Sequence, residues 1–469
     1  MTAVRIAAAA LFAAAAGLGG LFVVTSVIEK ERRAAVISGV ATALFVAAGV
    51  VFFFLLWRGA IGGAAADAIT VGFAASVILG TVVFLAPWGR NPAVLRGSDY
   101  YLGGEAEGPG RFDRRHAIFF RHRLTPGTEE HEALYTALPE LKDGDEESRR
   151  RIAETRAKDS KFDAANVTKG PMRQGIMSAS RPLAELSRPE PAGEVVEIAA
   201  EELTRKVKAL ALHLGAGDVG VAELRPWYFY AAPEGGGEPS GVRGGHTRAV
   251  VMAFEMQKDL VDAAPHSPII IETMTRYAQG TSVSVQIAGF LAAMGYGATA
   301  NHFSHYEMLM VPPAVDAGLG ELGRNGFLIS RKFGPGCRLA AVTTTAPLVA
   351  DKPVDIGVQE FCRVCLKCAV TCPSRSIPDG EKEVVRGVRK WQLGDRACHE
   401  FWQKVGTDCG ICMRNCPYSH PMHSVHRLGA LAARNSPVAR LLLTWADDLV
   451  YGRSPKPRAQ LDWVDWRKP

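Results

Sequence analysis

"FCRVCLKCAVTCPSRSI" (residues 361–377) gathers four of the nine cysteines of a 469-residue chain into one short run. Cys362, Cys365, Cys368 and Cys372 read C-x2-C-x2-C-x3-C-P, with Pro373 closing the motif. Three thiolates at two-residue gaps can wrap one face of a [4Fe–4S] cubane. The fourth, ahead of a proline, starts a new segment and ligates a different cluster. Such a run calls for a second one, and residues 397–421, "ACHEFWQKVGTDCGICMRNCPYSHP", supply it: Cys398, Cys409, Cys412 and Cys416, again closed by a proline, Pro417. The spacing predicts crossed ligand sets. Cys362, Cys365, Cys368 and Cys416 would hold one cluster; Cys372, Cys398, Cys409 and Cys412 would hold the other. A structural zinc site is the plainer alternative for CxxC pairs, but zinc does not ask for two C-x3-C-P endings. A disulfide framework suits small secreted domains, not cysteines bunched in a long chain. Cys337 stands apart and reads as a small buried residue. Two adjacent clusters make an electron wire, which implies a redox centre at one end and a donor at the other.

Length alone predicts two or three domains. Fifty-four Lys and Arg against 48 Asp and Glu give a net charge of +6, without a dominant basic block. That excess does not argue for nucleic-acid binding. Apolar residues are unevenly spread. Ile6–Ile28, Ala34–Trp57 and Ala68–Trp88 are nearly uncharged, and each reaches the roughly 20 residues that cross a bilayer as a helix. A cleaved signal peptide is the alternative for the first, but its run is too long and no twin-arginine pair precedes it. Lys30, Arg32 and Arg33 lie between the first two stretches, and Arg90 and Arg96 follow the third; Arg5 and Arg58 mark the other side. The positive-inside rule then predicts a multi-pass inner-membrane protein whose residues 90–469 face the cytoplasm, where reducing conditions suit exposed thiolates.

In the remainder, residues 143–161, "DGDEESRRRIAETRAKDSK", read as a solvated helix or linker. Leu203, Val207, Leu210 and Leu214 recur at helical spacing. The following "GAGDVG" matches G-x-G-x-x-G at Gly215, Gly217 and Gly220. The dinucleotide fingerprint needs a strand before and a helix after, and here the order is reversed, so Gly215 is predicted to cap a helix. "RAVVMAFEM" (248–256) and "LAAVTTTAPL" (339–348) read as strands, and "SVSVQIAGFLAAMGYGA" (282–298) as a helix ending near Gly295. Alternating helices and strands predict an α/β domain. No internal repeat stands out along this part.

Across residues 200–423 the chain resembles the reductive dehalogenases. The segments that carry the likeness are "GYGA" (295–298), "VPPAVDAGLGELGRNGFLISRKFGPGCRL" (311–339), "DKPVDIG" (351–357) and the two cysteine runs. The long gap between Cys398 and Cys409 is part of the resemblance. It implies a cobalamin cofactor and two [4Fe–4S] clusters. It also implies a nitroreductase-like cobalamin-binding domain (196–350) followed by a ferredoxin-like bicluster domain (351–423). The three membrane helices (1–90), a linker (91–195) and a C-terminal extension (424–469) complete the expected organisation. Respiratory members carry an export signal and leave their anchor on a separate protein; three fused helices depart from that pattern.

The resemblance assigns Tyr277, in "TRYAQG", as proton donor and Arg338 as its cationic neighbour. His305 takes the substrate-facing slot, with Asn301 as a competitor for it. The chemistry agrees. Reductive cleavage of a carbon–halogen bond needs two electrons and one proton, and a phenol is a poor acid at neutral pH unless a cation stabilises its phenolate. Tyr277 could equally be a packed core aromatic, Arg338 a structural ion pair, and "HFSHY" a polar loop. The expected partners are an organohalide, the membrane and a low-potential donor such as a ferredoxin, flavodoxin or reductase, with no nucleic acid. Two rival readings are an enzyme like epoxyqueuosine reductase, which would call for a basic tRNA-binding face, and a membrane-bound electron-transfer subunit, which would leave residues 196–350 without a role.

Overall fold

The computed structural model describes residues 3–58, 63–103, 109–158, 169–231, 238–421, 423–459 and 461–464. They form two compact units, each assembled from separate parts of the chain. The first comprises Met1–Asn91, Ile356–Cys365 and His420–Pro455. The second comprises Pro92–Asp355, Leu366–Ser419 and Lys456–Pro469.

In the first unit, the three apolar stretches form α1 (Ala3–Ile28), α2 (Arg32–Trp57) and α3 (Gly63–Leu85). Pro87 lacks an N–H and disfavours helix in the residue before it, so α3 ends short of the expected Trp88. The segments Ala9–Ile28, Arg32–Leu55 and Asp67–Leu85 have mean hydropathies of 2.1, 2.4 and 2.3, yet only 11%, 11% and 6% of each is buried in the protein. Helices this apolar and this bare are long enough to span a bilayer and suit hydrocarbon rather than water. Phe12 stacks on Phe45 at 4.5 Å between α1 and α2. The helices Ser424–Asn435 and Pro437–Val450 belong to the same unit. Gly89 N–H donates to Asn435 O (2.7 Å), Asn435 Nδ2 to Leu85 O (2.7 Å) and Arg440 Nη2 to Gly89 O (2.5 Å), fastening the end of α3 to this pair.

The second unit is built on a four-stranded sheet ordered β1 (Asp218–Glu223), β2 (Arg248–Glu255), β6 (Cys337–Thr344), β3 (Ala298–Asn301). Two small hairpins, β4 (Gly320–Leu322) with β5 (Leu328–Ser330) and β7 (Glu383–Val385) with β8 (Val388–Lys390), lie outside it. Every pairing in the sheet is antiparallel. β2 and β3 both oppose β6, so they run parallel to each other, joined by the helix Pro268–Ala293. The expected α/β alternation is therefore present in chain order, but one strand is inserted between the parallel pair. Side-chain alternation sorts β2 onto two cores. Val250, Met252 and Phe254 pack with Leu203 and Val207 of helix Ala200–His213 and with Ile287 and Leu291 of the long helix. Ala249, Val251 and Ala253 face Ala314, Val315 and Leu319. A sheet covered on both sides explains the uninterrupted apolar run of its central strand.

The long helix starts 14 residues before the 282–298 segment read as helical (282 − 268), because Ile269, Ile270 and Ile271 are 0–6% exposed and burial outweighs their β-branched reluctance. The Gly215 expectation holds: φ is +107° and its N–H bonds to Leu212 O directly after helix Ala200–His213. Residues 143–158 lie in helix Pro139–Lys158, and 159–161 fall outside the described residues.

Gly220 sits in mid-strand, where a Cβ would meet Ala317 O at 2.2 Å. Gly220→Ala should therefore destabilise the protein by about 1–3 kcal/mol through overpacking, lowering Tm in a thermal melt. Gly217→Ala would meet chiefly the tip of the Phe333 ring and should be milder; equal losses in the two variants would overturn this account of the glycine pattern.

Candidate active site

Within the second unit, the stretch from Leu366 in the first cysteine run and the stretch from Gly410 in the second fold alike. Leu366 (φ 52°) and Gly410 (φ 71°) are left-handed and start the four-residue helices Lys367–Val370 and Ile411–Arg414. The hydrogen bonds then match one for one. Ala369 and Met413 N–H bond back to Leu366 and Gly410, Cys372 and Cys416 N–H to Ala369 and Met413, and Arg375 and Ser419 N–H to Cys372 and Cys416. The two stretches form a local structural repeat. Its signal was the shared C-x2-C-x3-C-P spacing itself. At Gly410 a side chain has no room: a Cβ would lie 2.9 Å from Ile269 Cγ1 and 3.1 Å from Ala264 Cβ.

The nine cysteines form no disulfide. Burial, with the charges of Cys409, Cys368, Cys398 and Cys372 nearby, pushes the Cys412 thiol well above its ordinary value. Burial and the neighbouring Cys409 and Cys372 push Cys398 to about 12, and burial pushes Cys409 to about 11. Thiols packed this closely cannot ionise together without a cationic centre among them, so the donor set fits an iron–sulfur cluster. Cys372 Sγ also accepts from Ser376 N–H at 3.3 Å. Cys368 and Cys416 lie in the second unit, whereas Cys362 and Cys365 lie on the helix Val358–Cys365 of the first. Cys337 is buried on β6, and burial raises its thiol to about 12.

A cavity of about 2050 Å³ opens in the second unit, and Cys372, Cys398, Cys409 and Cys412 share its wall with Tyr277 and Arg338. Its volume is about twice the upper end of ordinary small-molecule pockets, which leaves room for a large cofactor together with a substrate. Five arginines (123, 149, 173, 181 and 338) line it against one carboxylate, Asp408, among the described residues, so the wall favours anionic groups.

Helix Pro268–Ala293 packs along β6, and this brings Tyr277 to Arg338. The Arg338 guanidinium carbon is 5.4 Å from the Tyr277 ring centroid, and the ring stacks on Phe303 at 4.6 Å. Arg338 Nη2 donates to Thr273 Oγ1 (2.8 Å), and Asp408 lies 3.8 Å away. Arg338 Nε is buried with no hydrogen-bond partner among the described residues. Such an orphan costs about 1–3 kcal/mol and fits an acceptor entering from the cavity. Burial raises the Tyr277 phenol above its ordinary value, and the Arg338 charge opposes that rise. Asp408 is likewise raised by burial against the pull of Arg338.

The segment 301–306 meets the cavity differently from the sequence expectation. His302, Phe303, Ser304 and Tyr306 line it; Asn301 and His305 do not. Asn301 Nδ2 donates to Thr299 O (3.2 Å) and its Oδ1 accepts from Glu307 N–H (2.9 Å). His305 and His302 exchange backbone hydrogen bonds across a tight turn. His302, which sequence reasoning passed over, contacts Ser187 Oγ (2.9 Å) and Thr281 Oγ1 (3.3 Å), and burial lowers its pKa to about 4. It is therefore a neutral wall residue. Nothing in "NHFSHY" distinguishes its two histidines; only the turn does.

No protein-family profile matches the chain. It is 38% identical to a tetrachloroethene reductive dehalogenase of Dehalobacter restrictus over 183 residues, which are 36% of this chain and 33% of that protein. The chain thus spans about a third of the length of the curated relatives it matches. The catabolic reductive dehalogenase NpRdhA, solved with 3-bromo-4-hydroxybenzoic acid, superposes with a TM-score of 0.55 at 27% identity, covering 60% of this chain and 42% of that one. A second solved reductive dehalogenase, reported with a mechanism for B12-dependent dehalogenation, shares the fold at a TM-score of 0.59 and 23% identity, covering 77% of this chain and 51% of its own. Over the segments they cover, these likenesses are to reductive dehalogenases.

Proposed function

We propose that the protein is a membrane-anchored oxidoreductase that replaces the carbon–halogen bond of an organohalide with carbon–hydrogen and releases halide. The observation that carries this reading is the meeting, in one large cavity, of a cation-flanked tyrosine and four closely grouped cysteines. Residues 196–350 would form a nitroreductase-like cobalamin domain and residues 351–423 a ferredoxin-like domain with two [4Fe–4S] clusters. Cys372, Cys398, Cys409 and Cys412 would hold the cluster nearer the cavity, and Cys362, Cys365, Cys368 and Cys416 the other. Bound cobalamin supplies a strong low-potential reductant. An electron-transfer subunit without a substrate of its own would leave the cavity unused.

The chain's own residues supply the rest. The overall change consumes two electrons and one proton and yields the hydrocarbon and a halide ion. Tyr277 Oη is the proton donor, and Arg338 stabilises the phenolate left behind. Asp408 and Thr273 hold the guanidinium in place. Phe303 stacks on the phenol ring and fixes its plane, while the 301–306 segment shapes the substrate side. Electrons would come from a ferredoxin, flavodoxin or reductase, with the catalytic unit on the cytoplasmic side of the inner membrane.

Tyr277→Phe keeps the ring and removes the proton. In a halide-release screen over aryl and alkyl halides its turnover should fall by about 10²–10⁴-fold, with corrinoid spectrum and iron content unchanged. Arg338→Lys should be milder than Arg338→Met. Wild-type turnover in Tyr277→Phe would remove the tyrosine from the mechanism.

Iron analysis of anaerobically reconstituted protein should give about eight irons per chain, as two four-iron clusters require. Cys337→Ala should leave that figure unchanged and Cys398→Ser should lower it; the reverse pattern would sink the ligand assignment. Reporter fusions after Arg58 and after Arg96 should report opposite faces of the membrane, and periplasmic signal after Arg96 would reverse the orientation.

A further inference from the structure

A second cluster of metal-ligating side chains lies in the first unit, and the dehalogenase reading gives it no role. Glu29 follows the last residue of α1, and its side chain is 1% exposed. Its Oε1 is 3.0 Å from His426 Nε2 and 3.9 Å from His423 Nε2. One ligand atom each from Glu29, His420 and His426 lies within 4.8 Å of the other two. The histidines come from one H-x2-H-x2-H stretch, residues 420–426, at the start of helix Ser424–Asn435.

We propose that Glu29, His420 and His426 bind a divalent first-row transition-metal ion, of which Zn²⁺ is the representative, with His423 as the fourth protein ligand. Imidazole with carboxylate selects zinc and its neighbours over magnesium or calcium. Metal–ligand bonds of about 2.0–2.2 Å set ligand atoms roughly 3.3 Å apart around a tetrahedral ion. The Glu29–His426 pair is already near that spacing, and the third ligand needs only a side-chain adjustment.

The surroundings are those of a built site. Asp447 Oδ1 lies 3.2 Å from His420 Nε2, the carboxylate–histidine pairing that orients metal-binding imidazoles. The His420 and His426 rings stack at 5.1 Å and 13°, and Tyr451 covers His420 at 3.9 Å. A dication there would be drawn to the two carboxylates, Glu29 and Asp447. The ion would tie the turn between α1 and α2 to the helical pair that closes this unit.

The test uses the full-length protein in detergent with its iron–sulfur clusters loaded. After equilibration with Zn²⁺ and dialysis, zinc and iron are counted by mass spectrometry, and the zinc ligands are read by X-ray absorption. About one zinc per chain should remain, in a shell of nitrogen and oxygen at about 2.0–2.2 Å with no sulfur. Glu29→Gln and His426→Gln should each weaken zinc binding at least tenfold without loss of iron, and His423→Ala should weaken it less. Failure of the wild type to retain zinc, wild-type affinity in the Glu29 and His426 variants, or a sulfur shell near 2.3 Å, the Zn–thiolate distance, would overturn the site. Should a variant fail to fold, the wild-type ligand shell decides alone. None of these readouts depends on dehalogenation.

Discussion

The packing of helix Pro268–Ala293 against β6 is the constraint on which the second unit depends. One face of the helix supplies Val283, Ile287 and Leu291 to the main core. Its first half carries Thr273 and Tyr277 to the side of the sheet where Arg338 emerges. Its start, at Ile269, meets Gly410 of the second cysteine run. A single 26-residue element thus fixes Tyr277, Arg338 and the second cysteine run in one frame. The cavity is what remains when those three are held.

That arrangement explains why Arg338 is so constrained. A guanidinium with one donor on Thr273, a carboxylate at 3.8 Å and an aromatic face at 5.4 Å is poised rather than neutralised. A tighter ion pair with Asp408 would spend its charge locally. Left partly unsatisfied, it would, in the proposed reaction, answer the charge left on the phenol. The same low-polarity surroundings that raise the phenol's pKa make that response stronger.

Much of this was legible in the chain. The cysteine spacing marked both runs, and the length and uniformity of the apolar stretches marked α1 to α3. Gly215 was read correctly because a helix preceded it. The misreadings are tertiary in origin. The helix start at Pro268 lies beyond the 282–298 reading because β-branched Ile269–Ile271 favour helix little, and burial at 0–6% exposure outweighs that. Strand order is set by where β6 inserts, which local pattern does not encode. His302 and His305 are chemically equivalent in sequence, and a two-residue turn decides which one meets the cavity. The Glu29–histidine cluster joins residues almost four hundred positions apart (|i−j| = 397), and no window of sequence spans that separation.

The cavity wall runs from Phe119 to Met413 in the chain. On a ribosome, α1 to α3 emerge before any of those residues, so the apolar helices can be inserted into a bilayer while the wall is still being synthesised. Met413 must then arrive before the pocket has its last side. With α1 to α3 held in a bilayer, closure of the pocket would be a tethered event, following on a chain whose first ninety residues are already placed.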